Sequence, residues 1–290
     1  MSFSRREALK NLAVASIVGL IPSFKMEVNP QNNLASNKQT FSHSVCRWPY
    51  NAKSLDELCE VAVDVGISSV ELINPSDYAT VKSYGLTCAM ANCVPLSLTD
   101  GFNNPGLHEK LKQEYFDLIP KVANAGFKNI ICFSGNRNGM DDQVGIENCA
   151  VGLEPVVNRA AEYGLTICME LLNSKVDHAD YQCDHTVWGV RLCEKLGLDN
   201  FKLLYDIYHM QIMEGDIIAT IRKYHPYIAH YHTGGVPGRH EIDETQELNY
   251  KAIIGAIAET GFDGFVAQEF IPNRPDIFDS LKQGIDICSF

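Results

Sequence analysis

From Ser44 onward the chain alternates between two patterns. Short apolar runs, each long enough for one strand, are separated by stretches with apolar residues at helical spacing, and the alternation repeats eight times. The predicted strands are Ser44–Trp48, Ser69–Ile73, Leu86–Val94, Asn129–Phe133, Leu165–Leu171, Phe201–Tyr205, Tyr227–Tyr231 and Gly264–Phe270. Predicted helices between and after them include 107–125, 142–163, 186–196, 215–224, 249–260 and 275–288, with Pro120 and Pro155 expected to kink the first two. Eight strands and eight helices over about 245 residues match a closed (β/α)8 TIM barrel in number and length. A doubly wound open sheet is the competing architecture. It wants a glycine-rich turn after the first strand, and Trp48-Pro49-Tyr50 is not one.

Parallel α/β folds carry their chemistry at the carboxyl ends of the strands. In this chain those ends are polar: Glu71, Glu170, Asp206, His232 and Glu269 each close or nearly close an apolar run. Taken singly, a strand-end glutamate is a solvated rim residue and a strand-end histidine a satisfied polar group. Four in series, Glu170, Asp206, His232 and Glu269, from the fifth to the eighth predicted strands, are not easily accidental. Inside a closed barrel they would share one pocket, where three carboxylates repel one another unless a cation lies between them. A divalent metal resolves the conflict. Oxygen ligands suit Mn²⁺ or Mg²⁺, and the imidazole leaves Co²⁺ or Zn²⁺ open. Glu71 is placed with the substrate-binding residues, with orientation of a ligand as its alternative role. Trp48 is either an apolar wall or plain packing.

Composition narrows the partner. The formal net charge is −12 and no basic run lies beyond the N-terminus, which argues against nucleic acid and anionic membrane surfaces. A small polar metabolite is the expected partner, and a homo-oligomer is compatible with the sequence. Ser4-Arg5-Arg6-Glu7 followed by the apolar run Leu12–Ile21 resembles a twin-arginine export signal, with an amphipathic helix or tail as the alternative. The run is too short to span a bilayer. Met26–Gln39 is mostly polar and reads as a linker. Residues 1–42 are therefore read as signal and linker and 43–290 as one barrel domain, with a periplasmic location expected and a cytoplasmic one as the alternative. Ten cysteines are many for 290 residues, but Cys88, Cys132 and Cys168 lie in apolar runs, so buried thiols are expected. No CxxC pair points to thiolate-bound zinc.

Three blocks carry a resemblance: Glu170-Leu171-Leu172-Asn173, the string Asp206-Ile207-Tyr208-His209-Met210-Gln211-Ile212-Met213-Glu214-Gly215-Asp216, and Val236-Pro237-Gly238-Arg239-His240-Glu241. Glu247-Leu248-Asn249-Tyr250 and Gly261-Phe262-Asp263-Gly264, leading to Glu269-Phe270, extend it. The chain resembles the xylose isomerase-like TIM-barrel superfamily, and within it the hydroxypyruvate isomerases. The resemblance implies that Glu170, Asp206 and Glu269 hold a metal and that Glu170 and Glu269 transfer protons. It implies that His209 lies beside the substrate and that Arg239 sits at the substrate mouth. One position departs. Hydroxypyruvate isomerases usually carry glutamine where this chain has His232, and His230-Tyr231-His232-Thr233-Gly234 is similar to the ketose 3-epimerases, whose second histidine binds metal.

The chemistry implied is a proton moved between adjacent carbons through an enediolate, with one carboxylate as base and the other as acid. His209 could bond a substrate hydroxyl, or only a neighbouring strand. Arg239 could pair with a substrate carboxylate, or with Glu241 or Asp243. The loop Asn173–Cys183 could cover the site with His178 pointing in, a solvated lid being the plainer reading. Three functions stay open: a hydroxypyruvate/tartronate semialdehyde type isomerase, a ketose 3-epimerase or other sugar isomerase, and a non-catalytic sugar-binding barrel. A metal nuclease is a weaker fourth, since phosphate backbones want basic partners.

Overall fold

A computed structural model describes residues 39–93 and 97–290. The predicted export signal and nearly all of the predicted linker lie outside the described residues. The first strand, β1 (Ser42–Cys46), already pairs at Ser42 with Phe265, and Phe41 packs into the core.

Six further strands follow: β2 (Ser69–Glu71), β3 (Asn129–Cys132), β4 (Thr166–Glu170), β5 (Phe201–Asp206), β6 (Ile228–Thr233) and β7 (Phe265–Gln268). All pair in parallel, in the order β2-β1-β7-β6-β5-β4-β3. Over the described residues 86–93, the third strand expected from the sequence, Leu86–Val94, is not a regular strand, and Val94 lies outside the described residues. Part of it still closes the barrel. Thr87 bridges to Ser69 on β2, and Ala91 bridges to Ile130 on β3. At Ala89, between the two bridges, side chains take the ladder's place: Ser69 Oγ accepts from Ala89 N at 2.8 Å, and Asn129 Nδ2 donates to Ala89 O at 2.9 Å, while Leu72 N still donates to Met90 O at 2.8 Å. Adjacent side chains can satisfy a buried backbone as fully as a neighbouring strand does. Seven strands and one irregular stave thus make the closed wall.

The helices are α1 (Leu55–Asp64), α2 (Tyr78–Ser83), α3 (His108–Ala125), α4 (Asp142–Glu162), α5 (Thr186–Leu196), α6 (Ile207–Met213), α7 (Ile217–Tyr224), α8 (Tyr250–Glu259) and α9 (Ile277–Ile287). Local chemistry sets their ends. Ser54 and Glu57 form a reciprocal capping box on α1, each side chain bonding the other's backbone N–H. Gly126 ends α3 at φ +86°, a conformation that costs glycine nothing. Helices α3 and α4 run on through Pro120 and Pro155 as single elements. Where one helix was expected between the sixth and seventh predicted strands, there are two. The extra one, α6, starts directly after Asp206, the last residue of β5 and the cap of the helix.

The strand runs are buried on both faces, as a helix-covered parallel sheet requires. Val45, Ile130, Ile167, Leu203, Tyr205, Tyr231 and Val266 are all at most 1% exposed. All ten cysteines are buried free thiols. Burial alone raises the Cys149 thiol out of the range in which it would ionise. Among the described residues, no helix is long and apolar enough to cross a membrane.

Candidate active site

The carboxyl ends of β4 to β7 bring four side chains together. One ligand-type atom from each of Glu170, Asp206, His232 and Glu269 lies within 4.8 Å of the others, and all four residues are buried. Register does this. Asp206 on β5 pairs with His232 on β6, which pairs with Ala267 on β7, two residues before Glu269. A register shift at Leu203/Leu204 sets His230 opposite Leu204, and His230 and His232, two residues apart, share one face of β6.

His232 has one ring nitrogen on each side of this floor. Its Nε2 lies 2.9 Å from Glu71 Oε1, and His230 Nε2 lies 2.8 Å from the same oxygen. Its Nδ1 turns toward the site, 2.7 Å from Glu269 Oε2 and 3.4 Å from Glu170 Oε1. Those separations are ion-pair distances without hydrogen-bond alignment, which leaves Nδ1 a buried nitrogen with no hydrogen-bond partner. Such an orphan is costly unless something else binds it. Three carboxylates and one unpartnered imidazole nitrogen are a donor set that fits a divalent cation. Glu71 takes a different place from the one expected of it. It is fully buried under the histidine pair and does not line the cleft above. Its Oε1 engages both His232 and His230, a residue that sequence reasoning passed over. A second grouping, Cys46 with Glu71 and His232, is held together by these same contacts.

Arg239 brings the cation present. Its Nη2 donates to Asp206 Oδ2 at 2.9 Å and to Glu269 Oε2, and its Nη1 lies 2.9 Å from His209 Nε2. The guanidinium lies between the rings of Trp48 and Tyr208, 5.3 and 5.2 Å from their centres. It thus pairs with neither Glu241 nor Asp243. Those two carboxylates bond Ser280 and Arg274 instead. Trp48 also does more than pack: its indole Nε1 donates to Glu269 Oε1 at 2.7 Å.

These neighbours split the carboxylates. Burial pushes Asp206 up to about 7, against the pull of Arg239. Burial likewise raises Glu170. Burial would raise Glu269 too, but the charges on Arg239 and His232 overcome it and hold that carboxyl well below its ordinary range. The histidines differ as well. Burial, with Arg239 beside it, keeps His209 neutral, whereas Glu269 outweighs burial at His232 and favours its protonated form.

Above the floor opens a cleft of about 300 Å³, lined by Trp48, Leu72, Phe133, Glu170, Leu172, His178, Arg239 and Glu269, among others. The 173–183 loop is anchored rather than loose. Arg137 bonds the Tyr181 carbonyl and both oxygens of Asp184, and Tyr181 is fully buried. His178, on that loop, faces the cleft with its ring 5.2 Å from that of His209.

Residues 59–286 match the xylose isomerase-like TIM barrel family. The chain is 28% identical over 233 residues to the 2-oxo-tetronate isomerase of Cupriavidus necator, covering 75% of this chain and 87% of that one. It is 28% identical over 169 residues to the hydroxypyruvate isomerase of Escherichia coli K12, covering 58% of this chain and 65% of the relative. In structure it is similar to an AP endonuclease of family 2 from Brucella melitensis, with a TM-score of 0.75 at 23% identity, over 84% of this chain and 97% of that one. At that identity the likeness speaks for the fold alone.

Proposed function

Since the chain belongs to the xylose isomerase-like TIM barrel family, we propose that it is a metal-dependent isomerase interconverting a small hydroxyaldehyde and hydroxyketone. Hydroxypyruvate and tartronate semialdehyde are the type pair. The observation that carries this reading is the gathering of Glu170, Asp206, His232 and Glu269 within 4.8 Å at the base of a cleft. Relatives named as isomerases of hydroxypyruvate and of 2-oxo-tetronate support the substrate class.

The four residues would hold the ion, with Mn²⁺ or Mg²⁺ favoured by their oxygens. When bound, a divalent cation polarises the substrate carbonyl and steadies the charge of an enediolate. The protein's own part is proton transfer. Glu269, held ionised by its neighbours, is suited to take a proton from one carbon; Glu170, which burial inclines to keep its proton, is suited to serve the adjacent oxygen or carbon. Trp48 fixes the Glu269 carboxylate through Oε1 and leaves Oε2 toward the site. The cleft's apolar walls exclude water around the transferred proton.

A substrate panel tests the reading: hydroxypyruvate, tartronate semialdehyde, fructose, tagatose and psicose, each with Mn²⁺, with Mg²⁺ and with chelator. Hydroxypyruvate turnover that chelator abolishes is expected. Glu269→Gln should lower kcat by about 10²- to 10⁴-fold, the worth of a positioned acid–base group. The second reading, a ketose 3-epimerase, is favoured by His232 in place of glutamine beside the His230-Tyr231 string. Turnover of the ketohexoses without hydroxypyruvate would establish it instead. Metal binding with no turnover on the whole panel would leave a sugar-binding barrel.

A further inference from the structure

Asn173 lies three residues beyond Glu170, where the chain leaves β4 for the anchored loop, and it is fully buried. Its amide orientation is settled by its surroundings. The side-chain oxygen Oδ1 accepts from the backbone N–H of Val176 at 3.0 Å and of Asp177 at 2.9 Å. The amide nitrogen must then point the other way, and Nδ2 lies 2.7 Å from Asp177 Oδ2 and 2.6 Å from His209 Nδ1. A nitrogen facing that donor has to accept. His209 is neutral and carries a single ring proton. Nε2 faces a donor too, Arg239 Nη1, but that guanidinium keeps Asp206 and Glu269 as partners through Nη2, whereas the Asn173 amide is fixed by its two backbone bonds; Nδ1 is therefore the nitrogen that accepts, and the ring proton sits on Nε2.

The consequence lies on the other side of the ring. His209 Nε2 is 2.9 Å from Arg239 Nη1, which is also a donor. Two N–H groups facing each other satisfy nothing, although both are close to the cleft that Arg239 lines. An oxygen arriving between them would satisfy both. We propose that Asn173 is a positioning residue: it locks His209 as an Nε2–H donor, so that His209 and Arg239 converge on one oxygen of the substrate. The oxygen of a hydroxycarbonyl compound next to the carbons that exchange the proton meets this requirement. Donors fixed in advance at such an atom stabilise developing negative charge without reorganising.

Asn173→Asp would keep the Oδ1 acceptor for the two backbone N–H groups and replace the donor by an acceptor, which reverses the tautomer of His209. Placed beside Asp177 the new carboxylate would be repelled, so the informative protein is the double variant Asn173→Asp/Asp177→Asn, which exchanges the two groups. Long-range ¹⁵N–¹H NMR of the full chain reads the tautomer, the His209 signals being assigned by their loss in His209→Gln. The wild-type protein should show the proton on Nε2 and the double variant should show it on Nδ1. The double variant's kcat should fall about 100-fold, as for one lost oxyanion donor, with metal Kd unchanged, which separates tautomer control from damage to the metal site. The turnover arm rests on the isomerase reading above; the tautomer arm does not, and it is decided even if no panel substrate reacts. A wild-type His209 protonated on Nδ1 would overturn the proposal. So would a double variant with reversed tautomer and wild-type kcat.

Discussion

Asp206 does two jobs that a single substitution can separate. As the residue before α6 it accepts the backbone N–H of His209 at 3.1 Å, and its other oxygen faces Arg239 and the carboxylate cluster. Asparagine caps a helix as well as aspartate does. Asp206→Asn should therefore leave the thermal midpoint unchanged or raised, since one fewer charge is buried, while metal affinity drops by more than about 100-fold; calorimetry and a metal titration read the two separately. Because burial lifts Asp206 to about 7, a proton competes with the metal below that pH. Affinity for Mn²⁺ should rise with pH through about 7 and go on rising until His232 gives up its proton, and Asp206→Asn should lessen the slope near pH 7 without removing it. Glu71→Gln should weaken metal binding by about 10- to 100-fold, the usual worth of a group that orients a ligand. The convergence of Glu170, Asp206, His232 and Glu269 was legible because each ends an apolar run and a closed barrel sends all strand ends to one face. The place of Glu71 was not. Its partners, His230 and His232, lie some 160 residues away in sequence, 159 and 161, and nothing local shows which nitrogen of a histidine a distant carboxylate will engage.

Among the elements, strands covered by helices were the easiest to read, since both faces are apolar and the run stands out whole. The Leu86–Val94 segment looks the same in sequence. Its ladder is interrupted at Ala89, whose backbone is bonded by the side chains of Ser69 and Asn129 on the two neighbouring strands, and such a substitution has no local signature. Helix α6 was missed for a related reason: Asp206-Ile207-Tyr208-His209 was read as a polar exit, while Asp206 is also a cap. The loops over the site are packed as tightly as the wall. A Cβ on Gly101 would come within 2.3 Å of the Gly135 nitrogen and 2.5 Å of the Phe133 carbonyl oxygen, backbone atoms that cannot swing aside. Gly101→Ala should cost about 1–3 kcal/mol by overpacking, read as a shift of the urea midpoint. Gly255→Ala, with nothing within 4 Å of the added carbon, is the matched control.

For the whole molecule, closure places the termini of the barrel next to each other: Ser42 N bonds Gly264 O at 2.9 Å, and Thr40 Oγ1 bonds Phe262 O at 2.5 Å. A chain shortened to begin at Gln39 is the reference. One shortened to begin at Ser44 loses Phe41 from the core and the first two pairs of the β1–β7 ladder, and should melt several degrees lower. The export reading of the first 42 residues is a separate proposal, and a reporter fused to them tests it: Arg5→Lys/Arg6→Lys should abolish transfer of the reporter across the membrane.

Ten sulfhydryl groups shut inside one barrel also act as a clock. In the closed protein an alkylating reagent finds nothing to attack, so each labelled cysteine records an occasion when its part of the wall came apart. Peptide by peptide, the order of labelling would rank the staves by how often they open, and the irregular one, with Cys88 at its heart, should mark first.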